Sequence, residues 1–232
     1  MREDNYLSSK HQFLKSFKRS IARSKRVLIR HYGIERADSL VSESHSEYEA
    51  LIPQIPFIGH RSPFLIFLLP TSRYLAIYRV LRRNGLTFEE AGKIIYQMNE
   101  SEWDFIPILL RRIIGYLWFS PLFIKRLRKR AKESQERKYP GGYVLTFIEG
   151  DGRTFDYGLD YTECATCKFL NRQGASELAP LICAFDKSAS EILGWGLTRT
   201  MTIADGSQKC DFRFKKGEKT NITSSPSIKD VL

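Results

Sequence analysis

Apolar positions along this chain change period once, at Pro140-Gly141-Gly142. Upstream they recur every three or four residues, the signature of amphipathic helices. Leu14, Phe17, Ile21 and Leu28 predict a helix over 9–32, with Ser9 and Gln12 in a capping-box pattern and Gly33 as its stop. The next stretch mixes charge, serine and three prolines, and it predicts a short helical piece around Ser46–Leu51 before an extended connection. From Pro63 to Arg83 the pattern is helical again, interrupted at Pro70; Ser72 caps a second part whose Tyr74, Ile77, Tyr78 and Leu81 share a face, and Gly85 stops it. Thr87 and Glu90 form a second capping box ahead of the buried stripe Ala91, Ile94, Ile95 and Met98. Helices over Trp103–Phe119 and Leu122–Lys138, parted by Pro121, complete this part.

Downstream the period becomes two. Tyr143–Glu149 and Thr154–Tyr161 alternate as strands around Gly150-Asp151-Gly152, a hairpin signal. Helical turns are expected over Glu163–Leu170, Ser176–Phe185 and Ser188–Leu193. A second hairpin pairs Gly196–Ala204 with Lys209–Lys215 around Asp205-Gly206-Ser207-Gln208. With a four-residue turn, Ile203 faces Cys210, Thr202 faces Asp211 and Thr200 faces Arg213. Arg199, Met201, Ile203, Cys210, Phe212 and Phe214 then share one side of the sheet, and Thr198, Thr200, Thr202, Asp211 and Arg213 the other. A guanidinium beside Cys210 would lower that thiol's pKa or bind a carboxylate. Helices first and strands later give an α+β protein, its N-terminal helical half packed on a C-terminal antiparallel sheet whose short helices carry the cysteines. Residues 1–139 are then a basic helical region, 140–217 a cysteine-containing α+β module and 218–232 a flexible tail, together one compact domain.

Charge sharpens that division. The net charge is +11 over 232 residues. Residues 140–232 hold 11 Lys and Arg against 12 Asp and Glu, so residues 1–139 hold 26 against 14 and carry the whole excess. No nucleic-acid motif accompanies it, and the ordinary reading is a solvated helix surface. A peripheral membrane contact through Tyr116–Arg130 is a further reading of the same basic stretch. The longest apolar runs are too short for a membrane span. The polar first dozen residues carry no signal-peptide pattern, so the expected location is cytoplasmic, where a structural disulfide is disfavoured.

All four cysteines, Cys164, Cys167, Cys183 and Cys210, fall within about fifty residues of one module. Four thiols suffice for tetrahedral zinc or an iron–sulfur cluster, although the second pair is split where a zinc ribbon repeats Cys-x2-Cys. Metal therefore stays open as a rival to thiol chemistry, with no cofactor expected otherwise. The four histidines lie upstream; only His60, in a loop between "PFIG" and "RSP", could fold over the cysteines, and the ordinary reading is a solvent-facing loop histidine.

The segments "DYTECATCKF", "APLICAFD" and "GLTRTMTIADGSQKCDFRF" resemble the L-2-amino-thiazoline-4-carboxylic acid hydrolase family. The likeness extends through "IPQIPFIGHRSP", "LAIYRVLRRNGLTFEEAGKIIYQM" and "SQERKYPGGYVLTFIEGDGRTFDYGLDY", covering residues 45–217. It implies a hydrolase that opens a small cyclic amidine-thioether at a C–N or C–S bond to an N-carbamoyl-cysteine-type product. Within those motifs Cys210, Cys183 and Cys164 are the candidate catalytic thiols, with Asp211 and Asp186 to orient or deprotonate water. Arg199, Arg213 and Thr200 are the candidate substrate-binding residues, the arginines suiting a substrate carboxylate. Cys167 matters least to that motif. The paired cysteines and the Cys-x-Phe strand also resemble ligand-binding domains of the four-vinyl-reductase type, which leaves a non-catalytic sensor or carrier of a small ligand or metal as the alternative. A small-molecule substrate, no nucleic acid, no membrane span and room for a homodimer complete the expectations.

Overall fold

The computed structural model describes residues 5–60, 62–223 and 225–231. Its first element, α1 (Lys10–Leu51), is two helical segments meeting at Gly33, whose φ of 76° only glycine adopts freely. The segments fold back on each other. Lys10 pairs with Glu49, Phe17 stacks on Tyr48 at 4.8 Å, and Lys25 pairs with Asp38, so partners step inward toward Gly33. Gly33 is thus a hairpin corner between two long helices, and the short piece expected around Ser46–Leu51 is a full antiparallel partner. Its buried stripe is Ala37, Leu40, Ser44, Tyr48 and Leu51, helical in spacing but poor in large side chains. Ser9 occupies the N-cap without a side-chain capping bond.

The interruption expected at Pro70 does not occur, and α2 (Leu65–Arg83) runs through it. The lost N–H would have served the carbonyl of Ile66, a 59% exposed residue in the first turn of α2. Hydroxyls serve two of the neighbouring carbonyls: Thr71 donates to Phe67 and Ser72 to Leu69, each at 2.8 Å. In α3 (Phe88–Trp103) the capping box forms as the sequence predicts, with Glu90 accepting from the Thr87 N–H at 2.8 Å and Thr87 from the Glu90 N–H at 3.2 Å. Next come α4 (Ile108–Leu117) and α5 (Pro121–Ser134). The two helices part as expected, with Pro121 as the first residue of α5, where a proline gives up no intrahelical bond; Ser120 caps it, accepting from the Phe123 N–H.

The sheet has the order β1-β2-β4-β3-β5, built from β1 (Val144–Glu149), β2 (Tyr157–Glu163), β3 (Leu197–Arg199), β4 (Cys210–Phe214) and β5 (Asn221–Ile222). It is mixed, not purely antiparallel, because β5 lies parallel to β3. Between β2 and β3 lie α6 (Ala165–Arg172) and α7 (Ala179–Leu193), the latter one continuous helix where two turns were expected. The helical half seats on α6 and α7. Tyr74 of α2 packs edge-on against Phe185 at 5.1 Å, Tyr78 donates to Glu177 and Thr71 meets Thr166.

The second hairpin is shifted by two residues from the expected register. Leu197 lies opposite Phe214 and Thr198 opposite Arg213, while a 3-10 turn at Ile203–Asp205 lengthens the loop. A shift of two keeps every side chain on its face, so Arg199, Cys210, Phe212 and Phe214 still share one side. Met201 and Ile203 leave the strand for the loop. Residues 218–232, expected as a flexible tail, supply β5, and Ile228 and Val231 bury against the helices; Val231 fills the space beside Gly92 of α3.

Candidate active site

The inward face of the sheet carries Tyr161 directly opposite Cys210, with Phe212 in edge contact with Tyr161 at 5.3 Å. Arg199 lies on this side too, its guanidinium 5.4 Å from the Phe212 ring centre. Two helices close the space. Glu163 is the last residue of β2, and the chain turns there so that Cys164 is the N-cap of α6, half-buried, with Cys167 one turn on. Cys183 and Asp186 lie one turn apart on α7. Arg199 is the centre of the polar contacts: only 3% exposed, it donates to the Cys183 carbonyl at 3.1 Å and to the Asp186 carboxylate at 2.5 Å. Its Nε is buried with no partner among the described residues.

The four thiols lie near enough to influence one another electrostatically, but they are not equivalent. Cys164 is pulled below the ordinary thiol range, first by the hydrogen bond that Cys167 donates to it, against burial, and then by the N–H groups of Cys167 and Thr166 at the start of α6. Cys167 is pushed far up by the same hydrogen bond, since losing its proton would break the bond and set two negative sulfurs side by side. We assign the charge to Cys164 because it alone of the pair faces helix N–H donors. Burial raises Cys183 well above the ordinary range, with Arg199 opposing, and raises Cys210 to about 12, with the Ile203 N–H opposing from 3.2 Å. The thiol-lowering expected from Arg199 is therefore present but outweighed by desolvation at both cysteines. Asp186 is also held up by burial, against Arg199. Tyr161, facing Asp186, Cys164 and Cys210, stays protonated because of burial and that negative surrounding.

Of the residues singled out from sequence, Cys164, Cys183, Cys210, Asp186 and Arg199 come together. Asp211, Arg213 and Thr200 do not. They occupy the opposite side of the sheet, where Asp211 accepts from the Thr200 hydroxyl at 2.6 Å and from the Thr200 and Met201 N–H groups, clasping the loop after β3. Arg213 pairs with Asp160 at 2.7 Å, joined there by Lys209. Neighbours on a strand face opposite ways, so Asp211 cannot accompany Cys210. His60 packs its ring against Phe57 at 5.0 Å and Tyr6 at 5.9 Å, in the loop before α2. Among the described residues no three His, Cys, Asp or Glu side chains gather as metal ligands would. Two participants escaped the sequence reading. Cys167 was set aside although the Cys-x2-Cys spacing fits an N-cap residue and its third-position partner, and Tyr161 was visible only as the inward member of an alternating strand.

A small cleft of about 10 Å³, room for roughly one water, opens beside α7 at the edge of this group, and Cys164 is not among its lining residues. Cys183, Lys187, Arg199 and Asp205 line one part of it, Ile222 and Ser225 the other.

Fold and site together define an α+β protein in which a sheet and two following helices enclose a group of thiols beside a buried arginine–carboxylate pair. Residues 118–214 match the model of the L-2-amino-thiazoline-4-carboxylic acid hydrolase family, in agreement with the likeness carried by the cysteine motifs. The helical stretch upstream of residue 118 lies outside that match. No curated protein and no solved structure matched the chain.

Proposed function

We propose that the chain is a hydrolase for a small, carboxylate-bearing cyclic amidine-thioether of the 2-amino-thiazoline-4-carboxylate type, with Cys164 as nucleophile. The observation that carries this reading is a thiol held below its ordinary range in the same group as Arg199, a buried guanidinium whose Nε has no partner among the described residues. A substrate carboxylate or a developing anion satisfies that donor, which otherwise bears the desolvation cost of an unmade hydrogen bond.

The chemistry balances without a redox partner. The Cys164 thiolate adds to C2 of the ring, the C2–S bond breaks, and the ring sulfur leaves with its electron pair and takes a proton from Asp186. Burial raises the pKa of Asp186 above the ordinary carboxyl value, the direction that favours its service as a proton donor. Water then adds to the same carbon, returning one proton to Asp186 and giving the other to the former ring nitrogen; the tetrahedral carbon collapses to the urea carbonyl as the Cys164 thiolate departs. The product is an N-carbamoyl-cysteine carrying a new thiol. Cys167 stabilises the attacking and departing thiolate by donating its proton in a hydrogen bond without giving it up.

Incubation with 2-amino-thiazoline-4-carboxylate tests the reading through a free-thiol assay. Catalytic release of thiol supports hydrolysis. Saturable binding without release supports the carrier or sensor alternative, in which the same guanidinium holds a ligand that is not transformed.

A further inference from the structure

The face of α4 turned to solvent is apolar, the reverse of what a solvated helix requires. Ile108, Leu109 and Tyr116 are 69%, 67% and 64% exposed. Leu109, Ile113 and Tyr116 recur at i, i+4 and i+7, with Leu117 beside them and Arg112 between, so they form one ridge. The helix cannot roll to hide it. Its other side is locked by Gly115, where an added Cβ would lie 2.0 Å from the Leu193 carbonyl oxygen at the end of α7. On the adjoining α5, exposed Leu122 is followed at i+3, i+4 and i+7 by Lys125, Arg126 and Lys129. Arg112, Lys125 and Arg126 have no ion pair among the described residues. Aliphatic side chains, an amphipathic aromatic with Lys216 over its ring at 4.0 Å, and cations without an ion pair among the described residues thus stand exposed on two consecutive helices.

We propose that this α4–α5 surface docks onto an anionic lipid bilayer, lying in its interface. None of the helices among the described residues is long and apolar enough to cross a membrane. An interfacial helix buries its apolar side chains at the headgroup boundary while Lys and Arg reach anionic headgroups, and a Tyr ring suits the same depth. A nucleic acid would satisfy the cations and leave the aliphatic side chains in water. A second copy of the chain would cover the aliphatic side chains but set Arg112, Lys125 and Arg126 against like charges, which is costly at an interface. An anionic lipid surface takes both features.

Vesicle flotation of the full chain tests this, with phosphatidylcholine vesicles against vesicles in which phosphatidylglycerol replaces part of the phosphatidylcholine. The expected result is partition onto the anionic vesicles only, weakening with added salt. Leu109→Asp with Ile113→Asp should lower it by about tenfold or more. Neutralising Arg112, Lys125 and Arg126 to Gln should lower it by roughly fivefold each. These positions are exposed, so thermal melts should confirm that the variants fold. Three outcomes overturn the proposal: no partition onto anionic vesicles; partition that ignores the aspartate substitutions, which marks a purely electrostatic surface; or a dimer in lipid-free light scattering that the aspartate substitutions dissolve, which makes the ridge a contact between copies.

Discussion

Cys164→Ser is expected to lower thiazoline turnover by roughly three orders of magnitude or more while the thermal melt stays near that of the parent. Serine is a favoured N-cap residue, and Cys164 makes no side-chain capping bond at the start of α6, so the substitution removes none. It does remove the thiolate that Cys167 and the helix start favour. Cys183→Ser and Cys210→Ser should behave differently, since burial keeps both thiols protonated; their effect should fall on stability before turnover. The pH profile of the parent should be bell-shaped. Its rising limb follows ionisation of Cys164 and lies below the ordinary thiol range, and its falling limb follows loss of the Asp186 proton and lies above the ordinary carboxyl range. Equal loss from all four serine variants would contradict the assignment.

Arg199→Met should destabilise the fold by about 3 kcal/mol and abolish saturation by a substrate carboxylate. Removing the guanidinium leaves the Asp186 charge facing a low-dielectric interior, and Asp186 retains 27% side-chain exposure, which places the cost at the lower end of what broken buried pairs show. The sign with pH follows from Asp186. Arg199 lowers its pKa in the parent, so in the variant the carboxyl binds its proton more tightly, and the stability deficit should shrink as pH falls through that range. Adding Asp186→Asn should recover part of the stability, because no charge is then left unpaired. Substrate saturation should not return with it. Recovery of both would make Arg199 a structural residue alone, read from urea unfolding and from KM side by side.

Much of this architecture is written in local signals, and its exceptions have identifiable causes. The Thr87–Glu90 box and the stripe after it form as their spacing requires, since both depend only on residues within one helix. The partner helix of α1 escaped notice because its buried stripe uses Ala37 and Ser44, whose small side chains register weakly as apolar while fitting close helix packing. Pro70 misled because the proline rule assumes an interior carbonyl with no other donor, whereas here Ile66 is exposed and two hydroxyls serve neighbouring carbonyls. The faces of β4 survived a register error because the shift was even. At the site, the convergence of Cys164, Cys183, Cys210, Asp186 and Arg199 was legible from motif clustering. The division of labour among the thiols was not, because it turns on Cys164 standing at the N-cap position of α6, where Glu163 still belongs to a strand. Asp211 was a plausible assistant by sequence adjacency alone, and alternation along a strand removes it. The seating of Ile222, Ser225 and Ile228 along the cleft was invisible, since a Ser/Thr-rich stretch gives no periodic signal.

Site-resolved alkylation tests the central claim most directly. The parent protein would be exposed briefly to iodoacetamide across a pH series, and the four cysteine peptides quantified by mass spectrometry. Cys164 should be modified first, with a midpoint below the ordinary thiol range that moves upward in Cys167→Ala, while Cys183, part-exposed in the cleft but held protonated, reacts only at higher pH and Cys210 stays unmodified until the protein unfolds. Modification of Cys183 or Cys210 ahead of Cys164, or a Cys164 midpoint at the value of a free thiol, would contradict an activated nucleophile at the start of α6.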